Sequence, residues 1–299
     1  MQEMLEVMLR PLVACLVLPG ILVYYGLHIV RRGVIFVDLA LAQVATLGTC
    51  LCLLLGHEPG DPHNYFYSLA FTLIGAFIFT FTRSDREGRV PQEALIGIVY
   101  VVSAAAGILL LSHSPHGKEE LQKTLVGDPL TVSWRGIWTT AVLFALIGAV
   151  HFVFRRRFIR LSFEHDHVPL DWTTRAWDFL FYALFGLVVT SFVRVGGVLL
   201  VFSYLIIPAV CGAYLTRSLA GSLLVGWVAA MTGSIGGLVA SYTLDLPTGA
   251  AIVCALGLVL IIAALLGWVR RARPWFSSRQ PREARAAGTS RADPKPPAC

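Results

Sequence analysis

The sequence predicts an all-α fold, a polytopic transmembrane helical bundle of eight or nine spans, and three observations carry that expectation. Of the 299 residues, 56% are hydrophobic and 14% charged, with a mean hydropathy of +0.71, too apolar for a domain surrounded by water. Nine apolar segments can be marked, most of them near the roughly 20 residues that a helix needs to cross a bilayer. Lys and Arg are also shared unequally between alternate loops, as expected where cytoplasmic loops retain positive charge during insertion.

The first segment, 12–30, follows MQEMLEVMLR, where Glu3 and Glu6 precede Arg10 and no small-residue cleavage site follows, so it reads as a retained span. The second, 34–56, starts just after Arg31 and Arg32. HEPGDPHN at 57–64 leads into the third, 65–82, and the fourth runs over 94–111. The fifth, 136–154, ends on Arg155, Arg156 and Arg157. The sixth (178–193) and seventh (197–215) are short and split only by Arg194, Val195 and Gly196, which fits either two crossings or one broken or re-entrant element. In the eighth, 222–243, Gly233-x3-Gly237-x3-Ser241, with Gly226 and Gly236, predicts a tightly packed interior helix. The ninth, 248–269, follows the turn LDLP.

An outside N-terminus and a cytoplasmic C-terminus place 19 of the 24 basic residues on one side, leaving Arg10, Lys118, Lys123, Arg135 and Arg194 on the other. The formal charge of +6 resides in the tail. Residues 1–269 hold 16 basic and 16 acidic groups, whereas residues 270–299 hold eight basic and two acidic ones. Residues 1–269 therefore form the transmembrane domain. The tail, 270–299, is expected to be a disordered basic cytoplasmic extension, because it lacks an apolar face from around Trp275 onward. Nucleic acid is not needed to explain a pI near 9.1; the lipid bilayer is the first partner. Five of the six cysteines (Cys15, Cys50, Cys52, Cys211 and Cys254) sit in apolar stretches and read as packing residues, not as a disulfide framework.

Enzyme chemistry finds little support. None of Lys118, Lys123 and Lys295 completes a Walker A motif, and His-Glu-x-x-His and Gly-x-Ser-x-Gly are absent. No cofactor is expected on this chain, and any ATP hydrolysis would belong to another polypeptide. Polar groups inside apolar runs are more informative, since an Asp near a helix centre costs on the order of 2.5–3.5 kcal/mol to insert. Asp38 lies about 9 Å, and Gln43 about 16 Å, along a helix from Arg32. With Glu93 at the head of the fourth segment, they are candidate residues of a translocation pathway. The same residues also fit purely architectural roles: an Asp38–Arg pair, a helix-bridging Gln43 and a first-turn Glu93. His57, Glu58, Asp61 and His63 in one loop, and His113, His116, Glu119 and Glu120 in another, carry imidazole and carboxylate groups that suit a divalent cation, although solvated loop residues fit as well. Glu164, His165, Asp166 and His167 form a similar cytoplasmic cluster.

The stretch 195–253 resembles the membrane permease subunit of the ATP-binding-cassette importers for zinc, manganese and iron. The residues concerned are Val-Gly-Gly-Val-Leu-Leu at 195–200, Leu-Ile-Ile-Pro-Ala at 205–209, Ser241-Tyr242 and Leu-Pro-Thr-Gly-Ala at 246–250. Arg32-Gly33, Glu-Ala-Leu-Ile-Gly at 93–97 and Leu-Val-Gly-Asp-Pro-Leu at 125–130 extend the likeness in compatible order. The resemblance implies a permease of the cytoplasmic (inner) membrane with a divalent metal as transported substrate. It further implies a second permease subunit, identical or not, a cytoplasmic ATPase subunit and an extracytoplasmic metal-binding protein. Asp38, Gln43 and Glu93 would line the metal path, and Ser162, Phe163, Glu164, His165 and Asp166 would contact the ATPase. Two departures stand out. In the second span Gln43 takes the place of the family's His and Leu39 that of its Asp, the acid being displaced to Asp38. The contact loop lacks the usual Asp-Pro-Glu-x-x-Ala pattern and holds Pro169. A degenerate permease half, an ATP-independent carrier and an intramembrane enzyme are the rival readings.

Overall fold

The computed structural model describes residues 2–58, 61–83, 90–112, 132–164, 169 and 171–269. The described residues form ten helices: α1 (Gln2–Val17), α2 (Pro19–Arg32), α3 (Val37–Leu54), α4 (Pro62–Thr82), α5 (Gln92–Leu111), α6 (Trp134–Val153), α7 (Arg155–Phe163), α8 (Trp172–Leu215), α9 (Leu219–Leu244) and α10 (Thr248–Val269). The tail and the loop holding His113 to Leu130 lie outside them.

Local chemistry sets the boundaries. Pro19 has no N–H to give to the Cys15 carbonyl four residues back, so α1 and α2 separate there; Ser234 Oγ lies 3.4 Å from that carbonyl and donates to it instead. The two helices still make one apolar passage, Leu9–Arg32. Gly33 ends α2 in the left-handed conformation (φ 69°), its amide bonding back to the last turn. Asp61, Ser133, Asp171 and Ser218 cap α4, α6, α8 and α9 by accepting amides of their first turns.

Among the described residues, eight helical passages, the joint α1–α2 one included, are long and apolar enough to cross a membrane. One of them, α8, has 44 residues and would reach about 66 Å if straight, roughly twice a bilayer's hydrocarbon core. It bends sharply at Gly197 (φ 74°, ψ 168°). Phe181 stacks edge-on against Tyr25, ring centroids 5.4 Å apart, while a Cβ on the adjacent Gly26 would strike the Leu205 carbonyl. Phe181 and Leu205 would be about 36 Å apart on a straight helix, yet both meet consecutive residues of α2. The two arms of α8 thus lie against the same turn of α2. The sixth and seventh apolar segments are one broken element, and counting its arms separately gives nine passages.

The core lies where α8 packs on α2, α3, α4, α9 and α10, with Tyr25, Tyr182, Tyr204, Phe181 and Phe185 fully buried. The glycine stripe of α9 is its seam with α10: Gly237 sits on the Ile252 backbone and Gly233 on Leu256, and Ser241 Oγ is 2.8 Å from Thr248 Oγ1. The expectation of an interior α9 needs correction, because its other face exposes Leu224, Val228, Ile235 and Val239. The small residues buy one close contact, not burial all round. Cys15, Cys52, Cys211 and Cys254 are free thiols.

Candidate functional site

Asp38 stands in the first turn of α3, 1% exposed, and neither carboxylate oxygen meets a donor from another element. Glu93 occupies the first turn of α5. Its Oε1 accepts the Phe36 amide at 3.0 Å, which pins the start of α5 beside the start of α3, while its Oε2 is buried without a partner. Two of the three pathway candidates are therefore neighbours at adjoining helix starts, where the helix dipoles favour negative charge. Gln43 is also buried, but five residues on. It lies about 7.5 Å further along α3 and about 140° around its axis, away from the pair. Beyond it, hydroxyls tie the helices together: Ser68 Oγ donates to Ala45 O, and Thr72 meets Thr190, both at 2.8 Å.

A second buried cluster, missed by sequence reasoning, joins α2, α7 and α8 at the arginine-rich end. Asp178, wholly buried, accepts Arg32 Nη1 on one oxygen at 2.8 Å and Arg83 Nη1 on the other at short range. Arg32 Nε donates to Ser162 Oγ at 2.8 Å, and His28 Nδ1 is 2.8 Å from the same hydroxyl. The Arg32 guanidinium lies over the Phe181 ring, 3.8 Å from its centroid. Next to it His151 bridges Tyr25 (2.8 Å) and Tyr24 (3.2 Å) and stacks on Phe158 of α7 at 4.0 Å. A signal for this cluster was present: His28 and Asp178 are polar groups within or at the edge of apolar runs, the criterion that singled out Asp38.

The expected ATPase-contact stretch divides. Ser162 is buried and turned inward, and Phe163 packs near His28, ring centroids 5.6 Å apart. Glu164 is exposed and pairs loosely with Arg160 at 3.7 Å. His165 and Asp166 lie outside the described residues. The exposed face of α7 instead carries Arg155, Arg156 and Arg160.

At the opposite end, the loop between α3 and α4 gathers three of its four candidates. One ligand atom each of His57, Asp61 and His63 lies within 4.8 Å of the others. Asp61 Oδ1 accepts the His63 amide at 3.0 Å and is 2.7 Å from His63 Nδ1. These bonds, the amide first and then the ring, hold the Asp61 carboxyl below the usual carboxylate range. Glu58 contributes only its backbone carbonyl, to Asn64 Nδ2 at 2.8 Å. Nearby, a cavity of about 480 Å³ between α4, α6 and α8 is lined by Tyr65, Ser133, Thr140, Ser191 and Arg194; none of the three pathway candidates reaches it.

Comparison with known proteins places the whole architecture. The manganese transport system membrane protein MntC of Listeria innocua is 28% identical over 80% of this chain and 83% of its own length. A Haemophilus influenzae protein named for an iron transport system is 24% identical over 89% and 95%. The solved structure of PsaBC from Streptococcus pneumoniae, in complex with Fab, superposes with a TM-score of 0.70 at 21% identity, covering 87% of this chain and 93% of that one, a likeness of fold. The model of the ABC 3 transport family matches residues 4–267, and the chain, a multi-pass membrane protein, belongs to that family.

Proposed function

We propose that this chain is the permease subunit of an ATP-driven importer and passes a divalent metal ion, manganese or iron before zinc, across the cytoplasmic membrane. The observation that carries the reading is the acid pair. Asp38 and Glu93 present unpartnered, buried carboxylate oxygens at adjoining helix starts, and a carboxylate in a membrane span is expensive unless function requires it. Two carboxylates match the charge of one divalent ion, and oxygen ligands suit manganese and ferrous iron better than the softer metals. Relatives named for manganese and iron transport point the same way. The energy comes from elsewhere in the assembly. A cytoplasmic ATPase subunit binds at the basic face of α7, whose movement reaches α2 and α8 through Ser162, Arg32 and Asp178. A second permease subunit completes the path, and an extracytoplasmic metal-binding protein delivers the ion.

The test is ATP-dependent uptake of Mn²⁺, Fe²⁺ and Zn²⁺ by vesicles holding the assembled complex. Asp38→Asn and Glu93→Gln should each lower uptake about 100-fold, equivalent to about 2.7 kcal/mol, with Gln43→Ala far milder. Unchanged uptake in both acid variants would sink the site; no metal uptake under any energised condition would sink the function.

A further inference from the structure

We infer that His57, Asp61 and His63 form a metal-receiving site at the end of the molecule opposite the arginines, where an incoming divalent transition-metal ion is held before it enters the bundle. The ligand types are two imidazoles and one carboxylate, a set that suits Zn²⁺, Fe²⁺ and Mn²⁺ and leaves positions open for exchange. Their placement is built by two helix ends. His57 follows the carbonyl end of α3, its amide bonding back to Cys52 O at 3.4 Å, and that end of a helix favours a cation. Asp61 is the N-cap of α4, followed by Pro62, which fixes the backbone where the carboxylate leaves it. His63 lies in the first turn of α4. Asn64 braces the loop through Glu58 O and Asp61 O, at 2.8 and 3.0 Å.

The distances support capture by small movements. Ligand atoms around a tetrahedral ion, each about 2.0–2.2 Å from it, are roughly 3.4 Å from one another. Here all three lie within 4.8 Å, and the His57 and His63 rings are stacked, with centroids 4.8 Å apart and 19° between planes. All three side chains keep solvent access, from 29% to 61% exposed, so rotation about their side-chain bonds closes the gap. Arg194 lies over the Tyr65 ring at 5.3 Å, and its charge steers a cation away from the neighbouring cavity.

Use of the site for import rests on the function proposed above, but binding does not, and the experiment separates them. The purified full-length chain in nanodiscs is titrated with Co²⁺, followed by its visible absorption, and then with Zn²⁺ in competition. Relative to wild type, the His57→Ala, His63→Ala double variant should lose one Co²⁺ site and weaken Zn²⁺ binding at least about 100-fold. Asp61→Asn, which keeps a good N-cap and hence the fold, should weaken it about tenfold or more, while Asp38→Asn leaves this site intact. Unchanged stoichiometry and affinity in both loop variants would overturn the site. In the assembled transporter, a raised apparent KM for metal in the double variant supports the receiving role, and an unchanged KM overturns that role while leaving the importer reading standing. Metal binding that disappears in the double variant, with no uptake by any complex, confirms the site and refutes the importer.

Discussion

Asp38 and Asp178 are the same residue type buried to the same degree, 1% and 0% exposed, and they are treated in opposite ways. Asp178 is saturated, with a guanidinium on each oxygen, and its cluster stitches α2, the segment after α4, α7 and α8 together. Asp38 has no partner from another element, though α3 packs closely on α4 and α5. A buried carboxylate with a cation on each oxygen holds the fold. One left open in a well-packed region lowers stability, which makes it a candidate for a role other than holding the fold.

Removing each acid should expose this difference. Asp178→Ala removes the carboxylate that Arg32 and Arg83 share in the interior and should destabilise the chain by about 3–5 kcal/mol, read as a lower melting temperature in detergent and poor recovery. Asp38→Asn should do the reverse: melting holds or rises, because a buried acid that no other element satisfies is gone, while metal uptake by the assembled complex falls about 100-fold. If Asp38→Asn unfolds the chain and Asp178→Ala does not, the contrast collapses.

How much of this could be read beforehand depended on how local each signal was. Apolar runs are local, so the spans are legible, and Asp38 stands out as an acid in a run of alanine and leucine. The broken helix was marked at Arg194 to Gly196, beside its true pivot at Gly197, because only Gly readily adopts φ 74°. Asp178 carries the same polar-in-apolar signal as Asp38, but its partners are 95 and 146 residues away, and no periodicity reports such a pairing. Within the expected contact stretch, Ser162 obeys the same rule. Ser162 sits in a polar, basic segment that suggests a surface, and only the packing of α7 turns it inward, onto Arg32 and His28. Asp38 and Glu93 stand far apart in the sequence, and their meeting depends on the Phe36 amide, a backbone group that carries no sequence signal.

Ser162 sharpens the comparison at intermediate strength. It links the saturated cluster to α7, and Ser162→Ala leaves Arg32 Nε and His28 Nδ1 without their shared hydroxyl. The expected loss is about 1–3 kcal/mol, smaller than for Asp178 because the ion pairs survive. If α7 transmits the ATPase's work through this bond, the assembled complex should keep most of its ATP hydrolysis while metal uptake drops severalfold. Equal falls in both would place Ser162 in assembly instead of coupling.

The smallest effect belongs to a third acid, seven residues before Asp178. Asp171 accepts the Thr174 amide at 2.7 Å as the N-cap of α8, outside the span, and its bonds to Thr174 hold its carboxyl below the usual range. It is satisfied like Asp178, but by its own helix and in contact with water, so losing its charge disturbs only one helix end. A depressed folded pKa means that the unfolded chain binds the proton more readily. The stabilisation is complete above the ordinary carboxyl value of about 3.9 and is lost as pH falls through the lower folded value. Asn also caps a helix well, so Asp171→Asn should barely move the melting temperature at pH 7 and should flatten its decline between about pH 5 and 3. A large fall at neutral pH would mean that Asp171, like Asp178, is tied to the buried cluster, and that exposure does not separate the two acids.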